Sequence, residues 1–263
     1  MVTVIKPNGK LRICIDPRDL NKAIKREYYP MRTIEEIASR IPNANFFSVL
    51  DASSGFWQVK LDRKSAKLCC FNSPFGRYMF KRLPFGISSA QDVFQSIMSE
   101  MFEDIQGVEV VVDDLLIWGT TEEEHDARLE EVLRRAQQRN LKLNKDKSQI
   151  KLKQISYIGH ILGEDGIRPD PKKVTAVVEM KSPTNKEELQ RFLGMTTYLS
   201  KFIHNYSNIS APLGDQNVRP QDPSAMPTSI LSGFDKGDVK NITLLLLSSL
   251  HHAHYICTHD DHT

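Results

Sequence analysis

Residues 108–118, VEVVVDDLLIW, carry two adjacent carboxylates in the middle of an apolar run. The run predicts two short strands joined by a tight turn at Asp113-Asp114, because Asp favours turns and the flanking residues favour strands. Adjacent carboxylates repel each other and resist burial, and a divalent cation would relieve both costs. Taken alone, the pair also fits a plain solvent-exposed turn.

A third carboxylate ends an earlier apolar strand. FFSVLD (46–51) finishes with Asp51, 62 residues before Asp113. If the two strands are neighbours in one sheet, the three carboxylates meet at one edge. Such a set can hold two divalent cations about 3.5–4 Å apart for phosphoryl transfer, and Mg²⁺ prefers oxygen ligands of this kind. We therefore expect metal binding at Asp51, Asp113 and Asp114.

The overall composition is that of an ordinary globular protein. The chain has 263 residues, 40% of them hydrophobic, and a formal net charge of +2. These values exclude a wholly disordered, collagen-like or disulfide-scaffold protein. Basic residues nevertheless concentrate in residues 1–30, 60–82 and 134–153. The three basic stretches could line one groove for a polyanion, or they could be solvated faces.

The cellular setting is inferred from the cysteines and the apolar runs. The chain has four cysteines and no CxxC motif, which indicates reduced thiols in an intracellular protein. The N-terminus has no apolar stretch typical of a secretory signal. The run at 242–250 is shorter than the ~20 residues of a membrane helix. We expect an intracellular protein without a membrane partner.

Local signals predict several further elements. Alternating apolar residues around Asn8-Gly9 predict a hairpin over residues 2–16. Capping boxes and turn residues then predict a helix begun by Thr121 with Glu124, a hairpin over residues 155–167, and a helix begun by Thr184 with Glu187.

Seven blocks in order make a longer pattern. They are RICIDPRDLNKAI (12–24), YPMRTIEEI (29–37), FFSVLDASSGFWQV (46–59), SPFGRYMFKRLPFGISSAQDVFQ (73–95), VVVDDLLIWG (110–119), LKLNKDKSQI (141–150) and ISYIGHILGEDGI (155–167). This pattern resembles the reverse transcriptase domain of gypsy-type LTR retrotransposons, over about residues 2–213. The resemblance implies RNA-directed DNA polymerase activity.

The resemblance also implies an architecture. We expect an α+β fold with the palm and fingers of a right-hand polymerase, an antiparallel palm sheet and a helical thumb remnant. Residues 1–165 would form fingers and palm, with fingers incomplete at the N-terminus. Residues 166–213 would be a thumb- or connection-like helical segment, and 214–263 a diverged, disordered tail rich in Pro, Asp, Gln and Ser at its start.

The resemblance carries site roles onto matching residues. Asp51, Asp113 and Asp114 would be catalytic and would hold two Mg²⁺ ions, or Mn²⁺. The nucleotide-binding residues would be Lys6, Arg12, Phe56, Pro84, Phe85, Gly86, Gln95 and Lys147, and the primer-binding residues Tyr157, Gly159 and His160. The expected partners are dNTPs and an RNA or DNA template with its primer; the oligomeric state is left open.

Some of these roles have competing structural interpretations. Phe56 would lie under the deoxyribose and exclude a 2′-hydroxyl, or it could fill a core. Residues 84–86 could form a simple turn. Lys147 could assist proton transfer to pyrophosphate, or be a solvated lysine in a basic run.

The chain also departs from the family pattern. An aromatic residue usually lies two positions before the first turn aspartate, where Val111 stands here. We find no ribonuclease H or integrase site, although a parent polyprotein would encode both. A His-rich tail, including His251 and Cys257, fits no zinc-finger spacing. The alternative function is therefore an inactive, truncated retrotransposon relic that at most binds nucleic acid. In either case we expect the chain in the cytoplasm, within virus-like particles, or in the nucleus.

Overall fold

The computed structural model describes residues 2–5, 9–41, 43–180, 185–203, 205–208 and 210. Within them the strands are β1 (Val2–Ile5), β2 (Leu11–Cys14), β3 (Phe46–Ala52), β4 (Cys70–Ser73), β5 (Gly76–Met79), β6 (Val108–Val111), β7 (Asp114–Gly119), β8 (Leu143–Leu152), β9 (Ile155–Tyr157), β10 (His160–Gly163) and β11 (Gly166–Pro169). The helices are α1 (Arg18–Ala23), α2 (Ile34–Ser39), α3 (Arg63–Leu68), α4 (Ala90–Phe102), α5 (Glu122–Gln138), α6 (Pro171–Val178) and α7 (Lys186–Leu199), with 3₁₀ turns at Gly55–Gln58 and Ser200–Phe202.

The chain divides into two compact units. The described residues of Met1–Ile158 and Leu162–Ile167 form the first, and those of Gly159–Ile161 and Arg168–Thr263 form the second. The predicted boundary between residues 165 and 166 stays a prediction. Residues 214–263, with the His-rich tail, lie outside the described residues.

A four-stranded antiparallel sheet forms the centre of the first unit. Its order is β6-β7-β3-β8, so the strand that ends near Asp51 lies beside the strand that begins at Asp114. Alternate residues of β7 enter opposite faces, as the two-residue period of a strand requires. Leu115 and Ile117 pack against α4 and α5, whereas Leu116 and Trp118 pack against α2 and β9.

Most of the predicted local elements are confirmed, with corrections at their ends. β1 and β2 pair as the predicted hairpin, although Asn8 lies outside the described residues. The turn in the Asp-Asp run falls at Val112 and Asp113, because Asp114 already belongs to β7. Residues 155–169 form three strands, ordered β11-β10-β9, where one hairpin was predicted.

The helix starts follow capping chemistry, with small changes. Thr121 caps α5 by accepting from the Glu124 amide, as predicted, but the Glu124 carboxylate accepts from the Thr120 amide. α7 is capped by Asn185, whose side chain accepts from the Glu188 amide. Thr184, the predicted cap, lies outside the described residues.

The second unit is built on its own apolar cluster. Val177 of α6 and Phe192 of α7 are buried together with Leu189, Leu199 and Ile203. Their spacing along α7 places them on one helical face. Among the described residues, no helix is both long and apolar enough to cross a membrane.

Candidate active site

The three predicted aspartates lie together at one end of the central sheet. Asp51 in β3 and Asp114 in β7 are direct antiparallel partners. Asp113 occupies the adjoining turn, and its carbonyl accepts a hydrogen bond from the Ala52 amide at 2.7 Å. The sheet register therefore brings the carboxylates of two distant segments to one edge, as the sequence predicted.

The turn that carries Asp113 has an unusual backbone. Val112 adopts a φ of +54°, which a β-branched residue rarely accepts without support from its surroundings. Gln95 on α4 supplies that support: its Oε1 accepts from the Val112 amide at 2.6 Å, and its Nε2 donates to the Val110 carbonyl at 2.9 Å. Gln95 thus holds the backbone on both sides of Val111.

This position changes the role expected for Gln95. Its side chain is buried, and its Nε2 also donates to Ser99 Oγ at 3.1 Å. The structure thus shows Gln95 positioning the aspartate turn. Nucleotide contact by Gln95 stays a prediction.

The three carboxylates repel one another, and burial adds to the cost of their charges. Burial, followed by the charges of Asp51 and Asp114, raises the pKa of Asp113 to about 6. Burial and Asp51 also raise the pKa of Asp114. Lys147 offsets part of this repulsion, because its ammonium lies 2.9 Å from Asp51 Oδ2, and that contact raises the pKa of Lys147.

One carboxylate oxygen of Asp113 is left without a hydrogen-bond partner. Its Oδ1 is buried and has no hydrogen-bond partner in the described part of the protein. A Cβ on Gly55 would lie 2.2 Å from that oxygen, so glycine keeps the approach open. No three His, Cys, Asp or Glu side chains in the described ranges are already arranged to hold a metal ion. The orphaned oxygen and the all-carboxylate chemistry nevertheless fit a hard cation.

An aromatic wall stands beside the aspartates. The Phe56 ring lies 5.1 Å from the Phe85 ring and 5.6 Å from the Phe94 ring, measured between centroids. The Arg12 guanidinium lies over Phe85, 4.7 Å from the centroid of the ring. Its positive charge offsets a small part of the rise in the pKa of Asp113. The structure therefore brings Arg12, Phe56 and Phe85 to the aspartate end of the sheet.

The loop of residues 84–86 is fixed against β2. Pro84 is buried, the Phe85 carbonyl accepts from the Ile15 amide at 2.9 Å, and Gly86 has a φ of +111°. A Cβ on Gly86 would lie 2.0 Å from the Ile15 carbonyl oxygen, so only glycine fits. Lys6, the remaining nucleotide-binding prediction, lies outside the described residues.

A family model described as reverse transcriptase (RNA-dependent DNA polymerase) matches residues 4–162 of this chain, more than half of its length. The chain belongs to the reverse transcriptase family. The predicted resemblance to a reverse transcriptase domain is thereby confirmed.

Several relatives of this chain are retrotransposon polyproteins. The Pol polyprotein of the Drosophila melanogaster transposon opus is 34% identical over 251 residues, 90% of this chain and 25% of the relative. The Pol polyprotein of the Drosophila melanogaster transposon 297 is 34% identical over 78% of this chain and 20% of the relative. The Tf2-3 polyprotein of Schizosaccharomyces pombe is 31% identical over 81% of this chain and 16% of the relative. The chain thus spans a quarter or less of these relatives.

Solved reverse transcriptases share the fold. A foamy viral protease–reverse transcriptase in complex with double-stranded DNA matches with a TM-score of 0.81 and 22% identity, over 94% of this chain and 43% of that one. Another foamy viral protease–reverse transcriptase, in complex with an RNA/DNA hybrid, matches with a TM-score of 0.77 and 21% identity, over 95% of this chain and 33% of that one. The predicted α+β polymerase fold is confirmed.

The predicted primer-binding residues of this chain are largely interior. In the first unit, Tyr157 is buried, and burial raises the pKa of its hydroxyl well above the usual value. In the second unit, His160 is buried, and the Gly159 carbonyl accepts from the Tyr198 hydroxyl. Primer contact at these residues stays a prediction.

Two positioning residues were missed by the sequence analysis. Gln58 donates to the carbonyls of Ser53 and Lys142 and accepts from the Lys142 amide, which ties the start of β8 to the segment after Asp51. Ser148 Oγ lies 3.3 Å from the Asp51 amide that donates to it. No local pattern announces such bonds, because each joins a side chain to backbone far away in sequence.

A Ser–His–Asp chain elsewhere in the sheet has no catalytic access. Ser48 Oγ lies 2.8 Å from His125 Nε2, and His125 Nδ1 lies 3.0 Å from Asp126 Oδ1. Ser48 and His125 are fully buried, so no substrate can reach the serine. The three side chains instead join β3 to α5.

Proposed function

We propose that this chain catalyses RNA-directed DNA polymerisation. The primer 3′-oxygen attacks the α-phosphorus of a dNTP, a P–O bond forms, and the bond to pyrophosphate breaks. The observation that carries the proposal is the pairing of Asp51 with Asp114, with Asp113 in the turn beside them. A carboxylate edge of this kind is what phosphoryl transfer requires.

We propose Asp51, Asp113 and Asp114 as the ligands of two Mg²⁺ or Mn²⁺ ions. The unpartnered Asp113 oxygen, which any side chain at residue 55 would strike, supports this assignment. When bound, such ions lower the pKa of the attacking hydroxyl and neutralise charge on the leaving pyrophosphate.

The chain's own side chains would bind and orient the nucleotide. Arg12, held over Phe85, presents a guanidinium suited to triphosphate oxygens. Phe56 packs against the rings of Phe85 and Phe94, and this packing would hold it under the deoxyribose, where a 2′-hydroxyl would clash with it. Lys147 carries a proton at Nζ beside Asp51 and can give it to the departing pyrophosphate.

The proposed partners are a primer annealed to an RNA or DNA template, and dNTPs. The foamy viral structures that share this fold are in complex with double-stranded DNA and with an RNA/DNA hybrid. Template sequence would be read by base pairing, while the protein contacts backbone and shape.

Primer extension on an RNA template with Mg²⁺ or Mn²⁺ tests the proposal. We expect Asp113→Asn to lower the extension rate about a thousandfold or more, because a ligand worth several kcal/mol in the transition state is lost. Asp104→Asn is the matched control, since Asp104 is exposed and paired with Arg135. Nucleic-acid binding without extension by the folded wild-type chain would instead indicate the inactive relic.

A further inference from the structure

A groove of about 570 Å³ lies between α5 and β8 in the first unit, and the proposed chemistry does not use it. Its apolar lining comes from Leu129 and Leu133 of α5 and from Ile150 of β8. Leu133 is 43% exposed and Ile150 is 52% exposed. Glu130 and Arg134 line the same groove. Exposed apolar side chains with a polar rim of this kind mark an interaction surface.

The two walls of the groove are tied together. Lys151 Nζ donates to Glu122 Oε1 at 2.9 Å and to Asp126 Oδ2 at 2.6 Å, which joins β8 to the first turns of α5. The Lys151 amide donates to Ser48 Oγ at 2.9 Å, and this bond supports a φ of +54° at Lys151. Because its walls are already fixed, the groove needs little ordering to take a partner.

The shape and charge of the groove favour a helix over a strand as its occupant. β8 is the edge strand of its sheet, since among the described strands it pairs only with β3. It carries exposed lysines at positions 145, 147 and 151, and lysines on an edge strand disfavour the addition of another strand. A helix can instead place an apolar side chain between Leu133 and Ile150.

α5 has the charge pattern of a self-complementary helix. Residues 122–131 hold six acidic side chains and one arginine, whereas residues 132–139 hold three arginines and no acidic side chain. Two α5 helices that cross antiparallel therefore bring the acidic half of each against the basic half of the other. In a two-fold dimer the same surface meets itself, so each favourable pair forms twice.

Glu130 and Arg134 are placed to make such pairs, because they lie on either side of Leu133 along the groove. Glu130 has no ion-pair partner within the described ranges. Arg134 is half-exposed and donates to Glu131 through Nε and Nη2, so its Nη1 can still donate elsewhere. An antiparallel crossing near Leu133 brings Glu130 of one copy beside Arg134 of the other.

We propose that the α5–β8 groove is the interface of a two-fold homodimer, in which Leu133 of each copy enters the groove of the other. The proposal goes beyond the proposed function and does not depend on it. A polyanion is a poorer occupant, because Asp126 and Glu130 also line the groove.

Sedimentation equilibrium of the full chain, without nucleic acid, tests the interface. We expect the wild type to dimerise with a dissociation constant on the order of micromolar, because the apolar contact is small. Leu133→Asp and, separately, Ile150→Asp should each weaken dimerisation about tenfold or more, because each buries a carboxylate without a partner. Leu68→Asp is the matched control and should leave dimerisation unchanged, since Leu68 is 65% exposed on α3, outside the groove.

Charge reversal tests the antiparallel pairs. Glu130→Arg and Arg134→Glu should each weaken dimerisation about fivefold, because each sets like charges together across the interface. A mixture of the two variant chains should form a heterodimer about as tight as the wild-type dimer, because opposite charges then meet at both pairs. An effect on the helix of each separate chain could not produce this recovery on mixing.

Several outcomes would overturn the interface. One is a wild-type chain that stays monomeric at about 0.1 mM, far above the expected dissociation constant. Another is a dimer that resists both groove variants, or that Leu68→Asp weakens equally. Mixed charge variants that associate no better than either alone would contradict the antiparallel pairing.

Two further measurements keep these results interpretable. Urea unfolding of each variant shows that it is folded, and a folding defect in Ile150→Asp on β8 would leave Leu133→Asp on α5 as the test. Primer extension separates the two proposals: a dimeric wild type without extension contradicts the proposed function alone, and extension by a monomeric chain contradicts the interface alone.

Discussion

At the residue scale, Asp113 shows the conflict between stability and function. Its carboxyl is half-buried beside two other carboxylates, and this environment raises its pKa to about 6 from the usual 3.8. The folded chain therefore holds this proton more tightly than the unfolded chain. Between these two pKa values the stability of the metal-free protein falls as pH rises, because folding increasingly requires a costly ionised carboxylate.

Asp113→Asn should therefore stabilise the metal-free chain. Near neutral pH in EDTA we expect the free energy of unfolding to rise by about 1–2 kcal/mol, a value discounted for the partial exposure of the group. Below about pH 4 the gain should vanish, because the aspartate is then protonated in both states. Urea unfolding across this pH range measures the effect. Asp104→Asn should not show this gain in stability, because the pKa of Asp104 in the wild type is lowered rather than raised.

At the element scale, the aspartate turn depends on α4. The amide of Gln95 satisfies two backbone groups of the β6–β7 hairpin, and this holds Val112 at positive φ. An apolar strand pair alone would not fix that conformation, so the helix determines where Asp113 points. A positioning role of this kind affects the chemical step more than nucleotide binding.

We expect Gln95→Ala to lower the free energy of unfolding by about 1–3 kcal/mol, because buried backbone groups lose their partners. In primer extension kcat should fall, while KM for the dNTP changes little. Gln91→Ala is the control, since Gln91 lies one turn earlier on the same helix and is exposed. An unchanged kcat in a folded Gln95→Ala chain would contradict the positioning role.

The same elements show what sequence could and could not predict. The sequence predicts the strand that carries Asp51 and the two strands that flank Asp113, because apolar runs and turn residues are local signals. The sequence of β8 shows only a basic stretch, because β8 is an edge strand with mostly exposed side chains and pairs only with β3. The role of Gln95 depends on a contact between a helix and a hairpin, which no local pattern encodes.

At the scale of the whole chain, charge that cancels in total is distributed around the site. Each basic stretch contributes a group near the aspartate end of the first unit: Arg12 over Phe85, Arg82 donating to the Gln58 carbonyl, and Lys147 on Asp51. The sequence predicted that these stretches could serve a polyanion. The four-stranded sheet and the pairing of Lys60 with Arg82 explain how segments so far apart along the chain come together.

Primer–template binding should consequently depend steeply on salt. We expect the affinity to fall about a hundredfold or more between 50 and 200 mM salt, because phosphate contacts release counterions. Lys145→Gln, an exposed change on β8, should reduce the slope of log affinity against log salt by about one. Arg134→Gln, which breaks a pair with Glu131 on α5, should leave the slope unchanged.

The central claim is that Asp51, Asp113 and Asp114 form one divalent-cation site for nucleotidyl transfer. Its most direct test is a Mn²⁺ titration, followed by electron paramagnetic resonance, of the chain with primer–template and a non-hydrolysable dNTP. We predict about two bound ions for the wild type and for Asp104→Asn, and the loss of at least one in Asp51→Asn and in Asp113→Asn. Equal Mn²⁺ binding by all four chains would contradict the assignment.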